Sequence, residues 1–554
     1  MTSVVNSHRR HFTSVKALLW PRSGERLIPA LSGLLLAASF PPLHLLVLPF
    51  IGLVPFALWI QGLSADAEGR RAAVRGSLVF GTVYFGLVFY WILIALIWFT
   101  LLAIPAFVGL MMMFVGLAAF IGWSLHHFLH TVRAPLWIAL PIAWTAAEWF
   151  RAHWPSTLAS SWLGLGTSLT GFPELVGFAE IVGARGVTLW LALVNGLIAS
   201  LVLDLRARRE WGQKTLLILL AITVPMGWGL WRAETLQLRE AGRVAVVQPN
   251  IPEHIKLDQR IAIDSTHASL SRLMQGIEPG SVDLVVMPEV TLPVFPKAEV
   301  YSGFVAPILN YARELGVPVV FGATGFTGDI YGEFTPFNSA FRMDPGGLTG
   351  FQYDKRYLVP FVERIPFLPD SWLTGLPYFG GFGVGSGWPL LKVNGSSYGV
   401  LICYESTYPE GARTFRLKGA EVLLNITNDA WYGREPLYAR TTALWQHPAH
   451  LVMRAIENRM GVARSANTGI SLYVDPIGRV HGQTDLFESD IRIDNVLTTD
   501  EITFFTRFGD LAGNGAAFAA VMLILASLKF SRRSASLDPS EAVSYTHLTL
   551  PTKA

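Results

Sequence analysis

The sequence predicts a polytopic α-helical membrane domain carrying a large mixed α and β globular domain outside the bilayer. Three observations predict it. The 554 residues are 51% hydrophobic, with a mean hydropathy of +0.41, high for a water-soluble chain of this length. The excess lies in the first 230 or so positions and in one short stretch near the C-terminus. From position 243 the texture changes to short β-rich runs alternating with turns and helical patterns.

No Asp, Glu, Lys or Arg occurs in 27–65, 76–132, 186–203, 215–231 or 511–528. A spanning helix needs about 20 largely apolar residues, so each of the two longest stretches holds two spans. Spans are expected at 27–40, 44–62, 76–97, 101–126, 134–150, 187–203, 215–231 and 511–528, about eight in all, seven before the globular insertion and one after it. Pro41-Pro42 divides the first pair, and Glu148 lies near the end of the fifth. The first apolar run continues into a hairpin without a small-residue cleavage site, so it reads as a span and not as a signal peptide.

Charge sets the orientation. With the N-terminus inside, the cytoplasmic segments up to position 533 hold sixteen Lys and Arg, among them Arg22, Arg26, Arg70, Arg71, Arg75 and Lys529. The opposite loops between spans hold only Arg151 and Arg185. Cytoplasmic loops favour basic residues, which assigns 1–26 and 529–554 to cytoplasmic tails and 232–510 to the other side. The end of the second tail resembles translated sequencing-adaptor sequence and carries no functional weight. Between the fifth and sixth spans, 152–173 has no Asp, Glu, Lys or Arg and carries Trp154, Trp162, Leu163, Leu165 and Phe172. It reads either as an interfacial or re-entrant segment or as a loop packed on the bundle.

In the globular domain, β-runs are expected at 244–248, 284–287, 317–321, 339–342, 398–403 and 422–425, with a hairpin-like pair at 462–466 and 471–474. Helical patterns fit 259–276, 300–315 and 440–459, and Asp344-Pro345 and Asp475-Pro476 open turns.

Cys403 is the only cysteine, so no disulfide or multi-cysteine metal site can involve it within the chain. It is either a buried inert thiol or a nucleophile. It ends the apolar run 398–403 and precedes Tyr404 and Glu405. Two further extended runs stop at chemistry-bearing residues: 285–288 at Glu289, and a short run at Lys355. An acid, a base and a thiol at neighbouring strand ends can activate the thiol for nucleophilic catalysis.

The order Glu289, Lys355, Cys403 resembles the Glu-Lys-Cys triad of the nitrilase superfamily. The segment from Lys355 through Leu358, Val359, Pro360, Phe361, Val362 and Glu363 to Pro366 is similar to a block of the apolipoprotein N-acyltransferase family, Lys-x-x-Leu-Val-Pro-Phe-Gly-Glu-x-x-Pro. Residues 248–252, 402–405 and 428–433 also resemble that family, as does the arrangement of spans around the insertion. Two departures stand out: Val362 where the family commonly has Gly, and Leu257 where it commonly has Trp.

The resemblance implies an extracytoplasmic nitrilase-like α-β-β-α sandwich at 232–510, between a membrane domain at 27–231 and a last span at 511–528. It implies a bacterial inner-membrane location, with the catalytic domain facing the periplasm. It implies acyl transfer from a phospholipid donor to the N-terminal amine of a diacylated apolipoprotein acceptor. Glu289 would be the base, Cys403 the nucleophile, and Lys355 the oxyanion partner. Glu363, Tyr404 and Glu405 would support the pocket, Glu363 by orienting Lys355. Trp431 fits either a pocket wall or the core.

The resemblance implies no cofactor and no metal, and the 13 histidines form no His-Glu-x-x-His pattern. The glycine-rich 380–387 lacks a Walker lysine and reads as a loop near the pocket. No basic stripe with interleaved aromatics suggests nucleic acid. The rival reading that keeps the fold is a membrane-anchored amidase, for which one span would suffice. A transporter or receptor is the rival from another class, and spans nearly free of charge argue against ion-coupled transport.

Overall fold

The computed structural model describes residues 22–97, 101, 103–154, 158–256, 258–360, 362–364 and 381–535. Most of the N-terminal tail, Leu257, Ile365, Pro366, Gly380 and the tail beyond position 535 lie outside these residues. Among the described residues, four helices are long and apolar enough to cross a membrane: Ala67–Ile97, Ala103–His130, Ala179–Arg206 and Gly212–Thr235. The spans expected at 27–40, 44–62 and 511–528 coincide with shorter apolar stretches, Leu27–Ala37, Leu48–Gln61 and Leu511–Ala526. The span expected at 134–150 coincides with the 17-residue helix Leu136–Ala152. The second of these stretches is broken around Gly52 into the helices Leu48–Ile51 and Val54–Gln61.

The third helix starts earlier than its charge-free stretch. It runs from Ala67 through Arg70, Arg71 and Arg75, and Arg75, 1% exposed, pairs with Glu25 at 2.6 Å and Glu68 at 2.8 Å. A buried cation needs such partners. The Ala179–Arg206 helix breaks its geometry at Gly183, where φ is +70° and the Phe505 ring lies 2.4 Å from where a Cβ would stand. Only glycine meets both demands.

The globular region holds two six-stranded sheets. One has the order β12-β1-β2-β3-β4-β5 and the other β11-β10-β9-β8-β7-β6. The first contains β1 (Arg239–Gln248), β2 (Leu284–Val286), β3 (Val319–Gly328), β4 (Phe334–Asp344), β5 (Gly347–Asp354) and, at the far edge, β12 (Asp490–Thr498). The second contains β6 (Leu391–Val393), β7 (Ser396–Ile402), β8 (Val422–Thr427), β9 (Gly461–Ala466), β10 (Leu472–Val474) and β11 (Val480–His481). Central pairs in both sheets are parallel and edge pairs antiparallel.

Strand alternation builds the layers. In β1, Ala245 and Val247 join a core with Ile263, Leu270, Ile308 and Ala312 from the helices Gln259–Met274 and Ser302–Leu315. Val244 and Val246 face the other way and share a core with Val400, Ile402, Leu424 and Val462 of the second sheet. Phe415 and Ile456, from the helices Pro409–Leu417 and Ala443–Asn458, belong to that same core.

The globular region sits directly on the helical one. Gln446 Nε2 donates to the Val88 carbonyl at 3.3 Å, the Thr442 N–H donates to the Tyr90 hydroxyl at 3.2 Å, and Tyr408 donates to the Ala159 carbonyl at 2.8 Å. Residues 158–173 fill this junction. Trp162, Leu163, Leu165 and Leu169 are each at most 2% exposed, and Trp162 Nε1 donates to Gln446 Oε1 at 3.0 Å. Packing on the bundle accounts for Trp162, Leu163, Leu165 and Leu169, whereas Trp154 is 36% exposed.

Candidate active site

Three strand ends converge. β2 ends at Val286, and the chain passes through Met287 and Pro288 to Glu289. β3 approaches that segment closely: a Cβ on Gly322 would stand 2.7 Å from the Glu289 Cα and 2.5 Å from the Val290 nitrogen. β5 ends at Asp354, one residue before Lys355. The Lys355 N–H donates to the Asn338 carbonyl at 2.8 Å, and its carbonyl accepts from the Gly385 N–H at 2.9 Å. The backbone of Lys355 is therefore gripped on both sides. The described part of the glycine-rich segment, 381–387, is thus anchored by hydrogen bonds, including one from Gly383 to the Pro336 carbonyl at 2.8 Å.

β7 ends at Ile402, and Cys403 opens a 3-10 turn, Cys403–Thr407, with φ of +53°. A non-glycine residue in the left-handed region is held there by its surroundings, a recurring feature of functional sites. The brace is Glu405, fully buried. One oxygen accepts the Ile402 N–H at 2.8 Å, and the other accepts the Arg356 N–H at 2.7 Å and the Tyr357 N–H at 3.2 Å. Tyr353 adds its hydroxyl at 2.9 Å. Glu405 therefore lies behind the site and ties the cysteine turn to the strand end that carries Lys355. Burial pushes its pKa up to about 7, against the pull of these donors.

Lys355 is 1% exposed. Its Nζ donates to Glu289 Oε1 at 3.1 Å and Glu363 Oε1 at 2.9 Å. Asn338, on β4, bridges the same two oxygens, its Nδ2 lying 2.7 Å from Glu289 and 2.8 Å from Glu363. The second oxygen of Glu289 accepts the Asn428 N–H at 2.9 Å, and that of Glu363 accepts the Val359 N–H at 2.8 Å. Burial alone would raise the pKa of Glu289, but Lys355, Asn338 and Asn428 hold it below the usual carboxylate range. Burial alone would lower that of Lys355, but the two carboxylates drive it well upward. Burial and the Glu289 carboxylate push the Cys403 thiol up, with Lys355 pulling weakly the other way. These directions favour a carboxylate, an ammonium and a protonated thiol at rest.

Behind Cys403, His447 spans from the Cys403 carbonyl (Nε2, 3.1 Å) to Asp429 Oδ1 (Nδ1, 2.8 Å), and Arg464 also pairs with Asp429. Arg464 holds Asp429 well below the usual carboxylate range, although burial alone would raise it.

Glu289, Lys355, Cys403, Glu363 and Tyr404 all line one cavity of about 500 Å³. Its other wall is apolar and comes from the helices Ala67–Ile97 and Ala103–His130, through Phe89, Trp91, Leu110 and Phe114. Trp162 stands between the two walls, its ring 4.8 Å from Trp91 and 6.2 Å from Tyr404. Trp431 and Val362 also line the cavity. Asn338 and Asn428 are the residues whose roles sequence reasoning missed. Asn428 is legible only as part of the 428–433 motif, and Asn338 lies just before the expected run at 339–342 with no local signal. Among the described residues no group of three or more His, Cys, Asp or Glu could hold a metal ion.

Residues 243–500 match the family described as Carbon-nitrogen hydrolase, and residues 32–197 match the Apolipoprotein N-acyltransferase N-terminal domain. The chain is 31% identical over 528 residues to the Apolipoprotein N-acyltransferase of Geobacter metallireducens, covering 92% of this chain and 96% of that protein. The protein of that name from Chlorobaculum tepidum is 27% identical over 546 residues, covering 91% of this chain and 96% of its own length. The one from Pseudomonas aeruginosa is 29% identical over 538 residues, covering 92% and 96%. Two domain matches and near full-length similarity lead to one conclusion: the chain belongs to the apolipoprotein N-acyltransferase family.

Proposed function

We propose that this enzyme transfers an acyl chain from a phospholipid to the N-terminal α-amine of a diacylglyceryl-cysteine apolipoprotein, through a thioester on Cys403. One observation carries the reading. The cavity that holds Glu289, Lys355 and Cys403 is walled on its other side by apolar residues of two helices long enough to cross a membrane. A nucleophile there meets an acyl chain at bilayer depth. A small amide needs no such wall, so the amidase reading fits less well.

In the first half-reaction, Cys403 sulfur attacks the ester carbonyl while its proton passes to Glu289. Lys355 spends two of its three N–H groups on carboxylates and keeps the third for the oxyanion, with the Tyr404 backbone N–H beside it. The ester C–O bond breaks, and Glu289 returns the proton to the lysophospholipid oxygen. In the second half-reaction, the neutral amine attacks the thioester. Glu289 takes a proton from nitrogen, the C–S bond breaks, and the proton returns to sulfur. The apolar wall limits water, which would hydrolyse the thioester.

The eight-span arrangement divides the chain at 27–231, 232–510 and 511–528. It puts both tails in the cytoplasm and the catalytic domain on the periplasmic face of the inner membrane. The distribution of Lys and Arg supports this orientation.

The test is transfer of a labelled acyl chain from phospholipid to a diacyl lipopeptide in detergent. Label in the lipopeptide, absent with Cys403→Ala, is expected. Release of the label only as free fatty acid would favour the hydrolase.

A further inference from the structure

The second half-reaction has a proton to dispose of. The acceptor's α-amine has a pKa of about 8 and is mostly ammonium at neutral pH. It must lose one proton before attack and another as the amide forms. Glu289 handles the second and returns it to the Cys403 sulfur. The first needs its own acceptor, with a route to solvent.

Glu253 is placed for this. It opens the short helix Glu253–Lys256 and lines the same cavity as the triad. Asn428 ties it to the catalytic base: the Asn428 N–H donates to Glu289 Oε2 at 2.9 Å, and the Asn428 side-chain Nδ2 donates to Glu253 Oε2 at 2.9 Å. The other Glu253 oxygen carries no hydrogen bond among the described residues. Glu253 is half-buried where Glu289 and Glu363 are buried, and it faces the cavity that all three line.

Its charged neighbours are Lys256, Glu289 and Arg434. Burial pushes its pKa above that of an ordinary carboxylate, against the pull of Lys256 and Asn428, which makes it a better proton acceptor. Lys256 donates to the Val290 carbonyl at 3.1 Å, and its pKa is lowered by burial.

We infer that Glu253 is the carboxylate that receives a primary ammonium beside Cys403 and takes its first proton. The inference rests on the acyl-transfer reading. Balance holds: ammonium and thioester give amide, thiol and one proton, and that proton leaves through Glu253. A primary ammonium reaches the cavity from two sources, the acceptor's α-amine or an ethanolamine head group on the donor. The two act in different half-reactions.

The experiment measures both halves separately on the full-length enzyme in detergent, comparing wild type with Glu253→Gln, which keeps an oxygen for Asn428. Charging of Cys403 is followed by intact mass with phosphatidylethanolamine and with phosphatidylglycerol. Discharge is followed by adding a diacyl lipopeptide at pH 6.5 and pH 8.5. Unchanged charging from both donors, with discharge slowed at least about 10-fold at pH 6.5 and much less at pH 8.5, supports the acceptor amine. Slower charging from phosphatidylethanolamine alone would mean that Glu253 only binds the head-group ammonium, and overturns the proton-transfer role. Unchanged rates throughout, or equal slowing with both donors and at both pH values, overturns the inference. Failure of the acyl-transfer reading looks different, because wild type itself would then pass no label to the lipopeptide.

Discussion

The Glu405 carboxylate accepts the Arg356 backbone N–H at 2.7 Å, which ties the Cys403 turn to the strand end bearing Lys355. A residue two positions past the cysteine thus braces the proposed triad without lining the cavity. Glu405→Gln replaces one carboxylate oxygen with an NH2, which then faces either the Ile402 N–H or the Arg356 and Tyr357 N–H groups. A loss of about 1–3 kcal/mol is expected from such unsatisfied groups. The pH dependence adds a signature. The Glu405 pKa of about 7 lies above the ~4.3 of a free Glu, so the native state binds this proton more tightly than the unfolded chain. Its contribution to stability is full below pH ~4.3 and is lost as pH rises to about 7. Thermal unfolding across that window should show this slope in wild type and lack it in the variant.

Glu289 is ionised and Cys403 protonated at rest, and this predicts an unusual pH profile. Because the Glu289 pKa is lowered and that of the Cys403 thiol raised, neither titrates between pH 6 and pH 9. Charging by phospholipid should be flat over that range, with stopped-flow or quench measurements of the adduct as readout. In Glu289→Gln it should fall by about 10²–10⁴-fold. The residual rate should climb about tenfold per pH unit with no plateau, as hydroxide becomes the only base. A wild-type rise levelling near pH 8.5, the ordinary thiol value, would contradict the assignment.

Leu110 lines the apolar end of the cavity from the Ala103–His130 helix. Leu110→Trp should shorten the space for an acyl chain. Charging from a dihexadecanoyl phospholipid should drop several-fold more than charging from a dioctanoyl one, measured by adduct mass under matched conditions.

Docking of the globular region depends on Glu180. Its carboxylate accepts from Arg459 Nε at 2.8 Å and from Arg232 Nε at 2.8 Å, joining the catalytic domain to two long apolar helices. Arg459 is 1% exposed. Glu180→Ala leaves that guanidinium unpaired, and about 3–5 kcal/mol of stability should be lost. Thermal denaturation in detergent checks this. Glu180→Ala combined with Arg459→Met should lose less than Glu180→Ala alone.

How far the sequence reaches depends on what each residue signals locally. Glu289, Lys355 and Cys403 are conspicuous because each interrupts an extended run. Asn338 is not, since its partners Glu289 and Glu363 lie 49 and 25 residues away and nothing local marks the bridge. The edge strands β5 and β12 escape notice because half-exposed edges carry polar residues and lack clean alternation. Arg75 looks like a cytoplasmic flank but sits inside a helix, because its partner Glu25 comes from a separate segment. Trp162 looks interfacial on composition alone. Only the packing of Trp91 and Tyr404 around it makes it part of the site.

The most direct measurement is intact-protein and peptide mass spectrometry after incubation with a labelled phospholipid and no acceptor. A single acyl group in a hydroxylamine-labile thioester on Cys403, absent in Cys403→Ala and discharged by a diacyl lipopeptide, is the predicted result. Full transfer activity by Cys403→Ala, or an acyl group on any other residue, would contradict the account.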